Sequence, residues 1–109
     1  MNKKKGLFIS FEGPEASGKS SQILLLQKYL TTKKISFITT REPGGTKLAE
    51  SLRNLILKIK SDINIDEEIL MLMAARSHHI NNVIKPALNK GSLVTVSYTH
   101  LTLPTILLV

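Results

Sequence analysis

Cysteine is absent from all 109 residues, which excludes disulfides and thiolate metal sites outright. Tryptophan is absent too, and three Phe and two Tyr are the whole aromatic complement. That leaves little on which bases could stack. No apolar run approaches the ~20 residues of a membrane-spanning helix. Lys3-Lys4-Lys5 leads into a strand pattern where a signal peptide would carry its apolar core. The simple expectation is a cytoplasmic protein. Acidic residues are also scarce, 8 against 15 Lys and Arg, giving a formal net charge of +7 and a pI near 9.9. Such a balance can mark a nucleic-acid partner. Only Arg41, Arg53 and Arg76 are arginines, however, and beyond the N-terminal triplet the lysines are scattered. The expectation is a solvated lysine surface, with neither a nucleic-acid nor a membrane partner.

What is present is enough apolar residue, 42%, to build a core. At this length one domain is the ceiling. Gly13-Pro14-Glu15-Ala16-Ser17-Gly18-Lys19-Ser20 matches G-x-x-x-x-G-K-[ST]. Before it Leu7–Phe11 reads as a buried parallel strand, and after it the run through Ile23, Leu26 and Leu30 reads as a helix ending near 31–34. Strand, glycine loop and helix together are what a phosphate-binding loop requires. Backbone N–H groups turn inward around an anion, and the helix N-terminus adds partial positive charge. Lys19 is placed to reach the β- and γ-phosphates of a nucleoside triphosphate, and the Ser20 hydroxyl to hold Mg²⁺.

A second strand is expected over 35–40, completing a right-handed βαβ unit. Arg41-Glu42-Pro43-Gly44-Gly45-Thr46 then leaves the carboxyl end of that strand, on the side where ligands of open α/β sheets bind. Arg41 either faces an anion there or is a surface arginine beside an ordinary turn. A helix from Lys47 to about residue 60 precedes a longer one capped by Asn64 with Glu67. Asp66, Glu67 and Glu68 in its first turn suit the helix dipole. The apolar stripe of the long helix is expected to run Ile69, Leu72, Met73, Ile80, Val83, Ile84 and Ala87, with Arg76 in its middle. A guanidinium there needs an anion, either a core carboxylate or a substrate phosphate. His78 and His79 are adjacent, which is the wrong spacing for a helical metal pair. Pro86 should kink the helix end, Gly91 stop it, and Ser92-Leu93-Val94 open a third strand.

The order FEG-x4-GKS, TREPGGT, AAR and VIKPALNKG resembles the thymidylate kinase family, over about Gly6 to Val94. The resemblance implies an α/β P-loop fold with a parallel sheet of strand order 2-3-1-4-5, three strands of which are present here. It implies ATP- and Mg²⁺-dependent phosphorylation of dTMP to dTDP by a homodimer. The phosphate loop would then comprise Gly13 through Ser21. Lys19 and Arg41 would be catalytic and Ser20 would meet Mg²⁺. Glu15, Arg41, Pro43, Leu72 and Arg76 would surround dTMP, with Glu15 on the 3′-hydroxyl. Leu72 stands where many members stack a phenylalanine on thymine, so another nucleoside monophosphate kinase is the alternative. Ala16 resembles the group that supplies its catalytic arginine from a later lid. Ser97 and Tyr98 stand where the family carries Asp-Arg. From Val96 to Thr105 the chain reads VSYTHLTLPT, which resembles a translated sequencing adapter. The division expected is therefore a kinase segment at 1–94 and a non-native tail at 95–109. The chain as written is expected to be inactive, with its P-loop strand left as an exposed edge.

Overall fold

Three parallel strands in the order β1-β3-β2 form the sheet of the computed structural model. The model describes residues 5–13 and 18–99. The expectations placed on Pro14, Glu15, Ala16, Ser17 and the tail from His100 onward lie outside that range. In chain order the elements are β1 Phe8–Glu12, α1 Lys19–Thr32, β2 Phe37–Glu42, α2 Lys47–Ile59, a 3₁₀ turn Lys60–Asp62, α3 Ile65–His79, a π-helical turn Ile80–Ile84, α4 Lys85–Asn89 and β3 Leu93–Tyr98.

Both outer strands pair only with β3, and in one register. Phe8 and Phe37 start opposite Val94 and Leu93, and Glu12 and Glu42 both finish opposite Tyr98. The three carboxyl ends therefore share one edge, and whatever follows each strand lands side by side. β2 begins two residues later than the apolar pattern suggested. The C-terminal cap of α1 uses the residues between, with Lys34 at φ 58 and the Ile35 N–H bonded to Leu30 O at 3.0 Å. In consequence Arg41 and Glu42 lie within the strand.

The sheet's two faces differ. Val94 and Val96 pack with Ile84 and Ala87, flanked by Ile38, Ile80, Leu88 and Tyr98, and this is the apolar core. On the other face Thr95 donates to Thr39 at 3.1 Å, and Gln27 of α1 donates to the same Thr39 oxygen at 2.8 Å. β1 is covered least: Leu7 and Phe8 are 61% and 42% exposed. An apolar parallel edge of this kind is open to pairing.

Several expectations are corrected here. The third strand, expected to open at Ser92-Leu93-Val94, continues through Thr95, Val96, Ser97 and Tyr98. Ladder bonds come from the main chain, which is why these residues pair although their side chains depart from the family pattern. A π-helical turn, Ile80–Ile84, precedes Pro86, which stands in the first turn of α4 where its missing N–H is tolerated. Gly91 ends the helix as expected, its N–H bonding Leu88 O at 3.0 Å and the next N–H bonding Ala87 O at 3.0 Å, a Schellman closure. The Asn64 N–H bonds Glu67 Oε1 at 2.8 Å, one arm of the expected capping box.

The buried line of α3 is not the one that apolar spacing indicated. Glu68, Ala75 and His79 are buried, whereas Met73 is 50% exposed. Two polar residues occupy the deep face, so hydropathy pointed one position away. Glu68 is accordingly a buried carboxylate, and the helix dipole alone does not account for it.

Candidate functional site

Gly18 takes a left-handed conformation, φ 85, and α1 starts at Lys19 with no side-chain cap and no acidic residue in its first turn. The first N–H groups of a helix have no intrahelical acceptor, and among the described residues the first turn of α1 carries no carboxylate to oppose their partial positive charge. Lys19 itself is 8% exposed. Its ammonium donates to Gly13 O at 3.0 Å, Tyr98 O at 2.8 Å and Thr99 Oγ1 at 3.0 Å. All three donor positions are filled, and all three acceptors are neutral. A cation so far out of water gains most from an anion beside it.

A cleft of about 940 Å³ opens over this point. Lys19 and Ser20 line one wall, Thr39, Thr40 and Arg41 the floor from β2, and Gly45, Thr46, Lys47, Glu50 and Arg53 the far wall. Ser97 and Thr99 close it on the β3 side. The structure thus gathers Lys19, Ser20 and Arg41 into one cavity, although 22 positions separate Lys19 from Arg41.

The TREPGGT segment is held by side chains that sequence inspection did not single out. Thr46 caps α2, accepting the Ala49 N–H at 3.0 Å, and the same hydroxyl meets His78 Nδ1 at 2.9 Å. Glu50 takes both Arg41 Nε, at 3.0 Å, and Arg41 Nη2, and accepts the Gly45 N–H at 2.9 Å. Those hydrogen bonds from Arg41, then the Gly45 N–H and the charges of Arg41 and Arg53, outweigh burial and hold the Glu50 carboxyl at about 2, below its ordinary 4.5. Arg53 donates to Pro43 O at 2.9 Å. The two glycines are required by what lies opposite them. A Cβ on Gly44 would sit 2.2 Å from Glu50 Oε2, and one on Gly45 2.1 Å from His79 Nε2, at φ +139 and +92.

Arg76 lies outside the cleft lining. Its Nε donates to Glu42 Oε1 at 3.0 Å, and its guanidinium carbon sits 5.4 Å from the Tyr98 ring centroid. Burial pushes the Tyr98 phenol up, a shift opposed by the Arg76 charge. Of the two partners considered for Arg76, the structure shows the carboxylate. Its remaining surface helps line a smaller hollow of about 310 Å³ with Met73, Ser77, Ile80 and Asn81. Leu72 is half-buried and Pro43 buried, and neither lines the large cleft. Glu42 itself is 3% exposed and bonds both Arg76 and His79. It is the residue that sequence reading passed over in favour of its neighbour Arg41.

Of the hydroxyls and the carboxylate lining this cleft, the Ser20 hydroxyl stands beside Lys19 at the start of α1. Among the described residues no three His, Cys, Asp or Glu side chains cluster to hold a metal. This donor set fits a hard cation that arrives on a triphosphate and keeps phosphate and water oxygens as its other ligands.

A family model described as thymidylate kinase matches residues 11–101. A thymidylate kinase of Gluconobacter oxydans is 50% identical over 96 residues, covering 88% of this chain and 45% of that protein. One from Francisella tularensis subsp. novicida is 51% identical over 86 residues, covering 77% and 41%. The crystal structure of thymidylate kinase from Ehrlichia chaffeensis superposes with a TM-score of 0.76 at 38% identity, covering 85% of this chain and 53% of that one. The chain thus spans about 45% of the length of the first two curated relatives it matches.

Proposed function

The chain belongs to the thymidylate kinase family, and from that premise we propose that its site serves transfer of the γ-phosphate of ATP to dTMP, giving dTDP and ADP. The observation that carries this reading is Lys19, an almost buried ammonium at an uncapped helix N-terminus whose described partners are all uncharged. Lys19 would exchange its carbonyl and hydroxyl partners for β- and γ-phosphate oxygens. Arg41, already in the cleft, would turn its guanidinium from Glu50 to the transferring group or to the acceptor phosphate. When bound, Mg²⁺ would neutralise charge on the β- and γ-oxygens, with Ser20 as its protein ligand.

An oxygen of the dTMP phosphate forms the new bond to the γ-phosphorus as the bond to the β-bridging oxygen breaks. That oxygen is already ionised, so no general base is needed and none stands in the described cleft with its carboxylate unpaired by Arg41. What remains for the protein is positioning and charge. Arg76 would hold the dTMP phosphate, and Leu72 and Pro43 would bound the nucleoside. Leu72 in place of phenylalanine is the observation that favours a second reading, another nucleoside monophosphate as acceptor. On the resemblance alone, we also propose a cytoplasmic homodimer for the intact protein. Among the described residues no helix is long and apolar enough to cross a membrane.

The test is transfer of label from [γ-³²P]ATP to dTMP, dUMP, CMP and AMP, by this chain and by one extended to the length of its relatives. Transfer to dTMP is expected from the extended chain. The 109 residues alone, with Ser97 and Tyr98 where the family carries Asp-Arg, should fall far below roughly 1 s⁻¹. Lys19→Ala should lower transfer by about 100-fold or more. Preference for CMP or AMP would overturn thymidylate specificity, and an unchanged rate in Lys19→Ala would place the phosphate site elsewhere.

A further inference from the structure

We infer that His79 is a positioning residue: from inside the core it fixes the Glu42 carboxylate that in turn orients the Arg76 guanidinium. The inference rests on the reading above, in which Arg76 meets the acceptor phosphate. His79 is fully buried on α3, and its ring bridges two residues of β2. Nδ1 meets Glu42 Oε2, and Nε2 lies 2.7 Å from Thr40 Oγ1.

A carboxylate can only accept, so the proton must sit on Nδ1. In the neutral ring Nε2 then accepts from the Thr40 hydroxyl, which locks the ring's rotation at both ends. Its position is locked as well, since Gly45 lies against Nε2 so closely that a single methyl group there would overlap the ring. With Oε2 held in this way, the other oxygen of the same carboxylate has one direction to face, and Arg76 Nε is found on it at 3.0 Å. The Tyr98 ring limits the guanidinium on another side. The chain Thr40–His79–Glu42–Arg76 therefore ties the cationic end of α3 to the strand that also carries Arg41. Two arginines on different elements are thereby referred to one rigid strand end. Geometry of this kind matters to phosphoryl transfer because a small misplacement of a phosphate ligand is costly.

Two substitutions separate this role from simple packing. Asparagine at position 79 can place its amide nitrogen near Nδ1 and keep the Glu42 bond, whereas glutamine reaches toward Nε2 and keeps the Thr40 bond. Calorimetry with dTMP and with thymidine, which lacks the phosphate, reads out the difference. His79→Gln should weaken dTMP about 10-fold or more while leaving thymidine unchanged, and His79→Asn should stay within about 3-fold of wild type for both. Equal losses in the two variants, or thymidine weakening in step with dTMP, would overturn the positioning role. A wild-type protein that binds neither ligand would refute the functional reading itself. In that event NMR still tests the linkage: the Arg76 Nε–H should be protected from exchange in wild type and His79→Asn, and unprotected in His79→Gln. Should His79→Gln fail to fold, wild type decides, because a buried Nδ1–H on a carboxylate must give a protected, far-downfield proton. Its absence would overturn the inference.

Discussion

Arg41 and Arg76 each meet a glutamate close to the same Pro-Gly-Gly turn, yet the two pairs are built differently. The Arg41 and Glu50 side chains are 52% and 33% exposed, and the pair stands in the open cleft. The Arg76 and Glu42 side chains are 26% and 4% exposed, and a buried histidine holds the carboxylate from behind. Exposed pairs contribute about 0–1 kcal/mol, so an arriving phosphate can take Arg41 from Glu50 at little cost. Removing one partner of a buried pair costs about 3–5 kcal/mol, so Arg76 keeps its carboxylate and can offer a ligand only what that carboxylate leaves free. One arginine is arranged to move and the other to stay. In phosphoryl transfer those suit different tasks: a cation that follows charge as it shifts, and one that fixes where the acceptor lies.

The contrast can be broken at its stronger end first. Glu42→Ala removes the carboxylate that both Arg76 and His79 bond, and urea denaturation should show a loss of about 3–5 kcal/mol. A loss below about 1 kcal/mol would mean that the buried pair is no firmer than the exposed one. Gly45→Ala comes next, at about 1–3 kcal/mol, because its methyl group must displace the His79 ring and adopt a left-handed backbone. Thermal melts of this variant beside Gly45→Ala/His79→Ala check the cause: if the ring is the obstacle, the added cost of alanine at 45 shrinks once the ring is gone.

Glu50→Gln should have the smallest effect, under about 1 kcal/mol at neutral pH. Its pH dependence sharpens the comparison. Glu50 titrates at about 2 in the folded chain against 4.5 ordinarily, so its stabilisation is complete above 4.5 and disappears as pH falls toward 2. The stability gap between wild type and Glu50→Gln should close across that window. A gap that persists unchanged at pH 2 would assign the effect to something other than the carboxylate charge.

Local chemistry made much of this legible in advance. The glycine-lysine-serine run, its strand and its helix follow from residue type and spacing, and so do the stop at Gly91 and the arm of the Asn64 cap. That Arg41 shares a cleft with Lys19 and Ser20 agrees with ligands of open α/β sheets binding at the carboxyl ends of the strands. The deep face of α3 was not legible, because Glu68 and His79 lie on it and an apolar stripe cannot be traced through polar residues. Glu42 was hidden for a related reason. Its partners are 34 and 37 positions away on α3, and only the packing of that helix against β2 brings them together. Had the 68-72-75-79 spacing been followed despite its two polar members, His79 would have stood out as a buried group in need of partners.

The register also governs the order in which the fold can assemble. β1 and β2 pair with β3 and not with each other, so no ladder bond of this sheet can form until its last strand exists. Phe8 waits for Val94, and at about 5–20 residues per second the ribosome needs about 4–17 s to supply it. Throughout that interval the apolar β1 lacks the strand it pairs with in this sheet. Destabilising β3 should therefore lower the yield of folded chain during synthesis more than it lowers the stability of chains already folded.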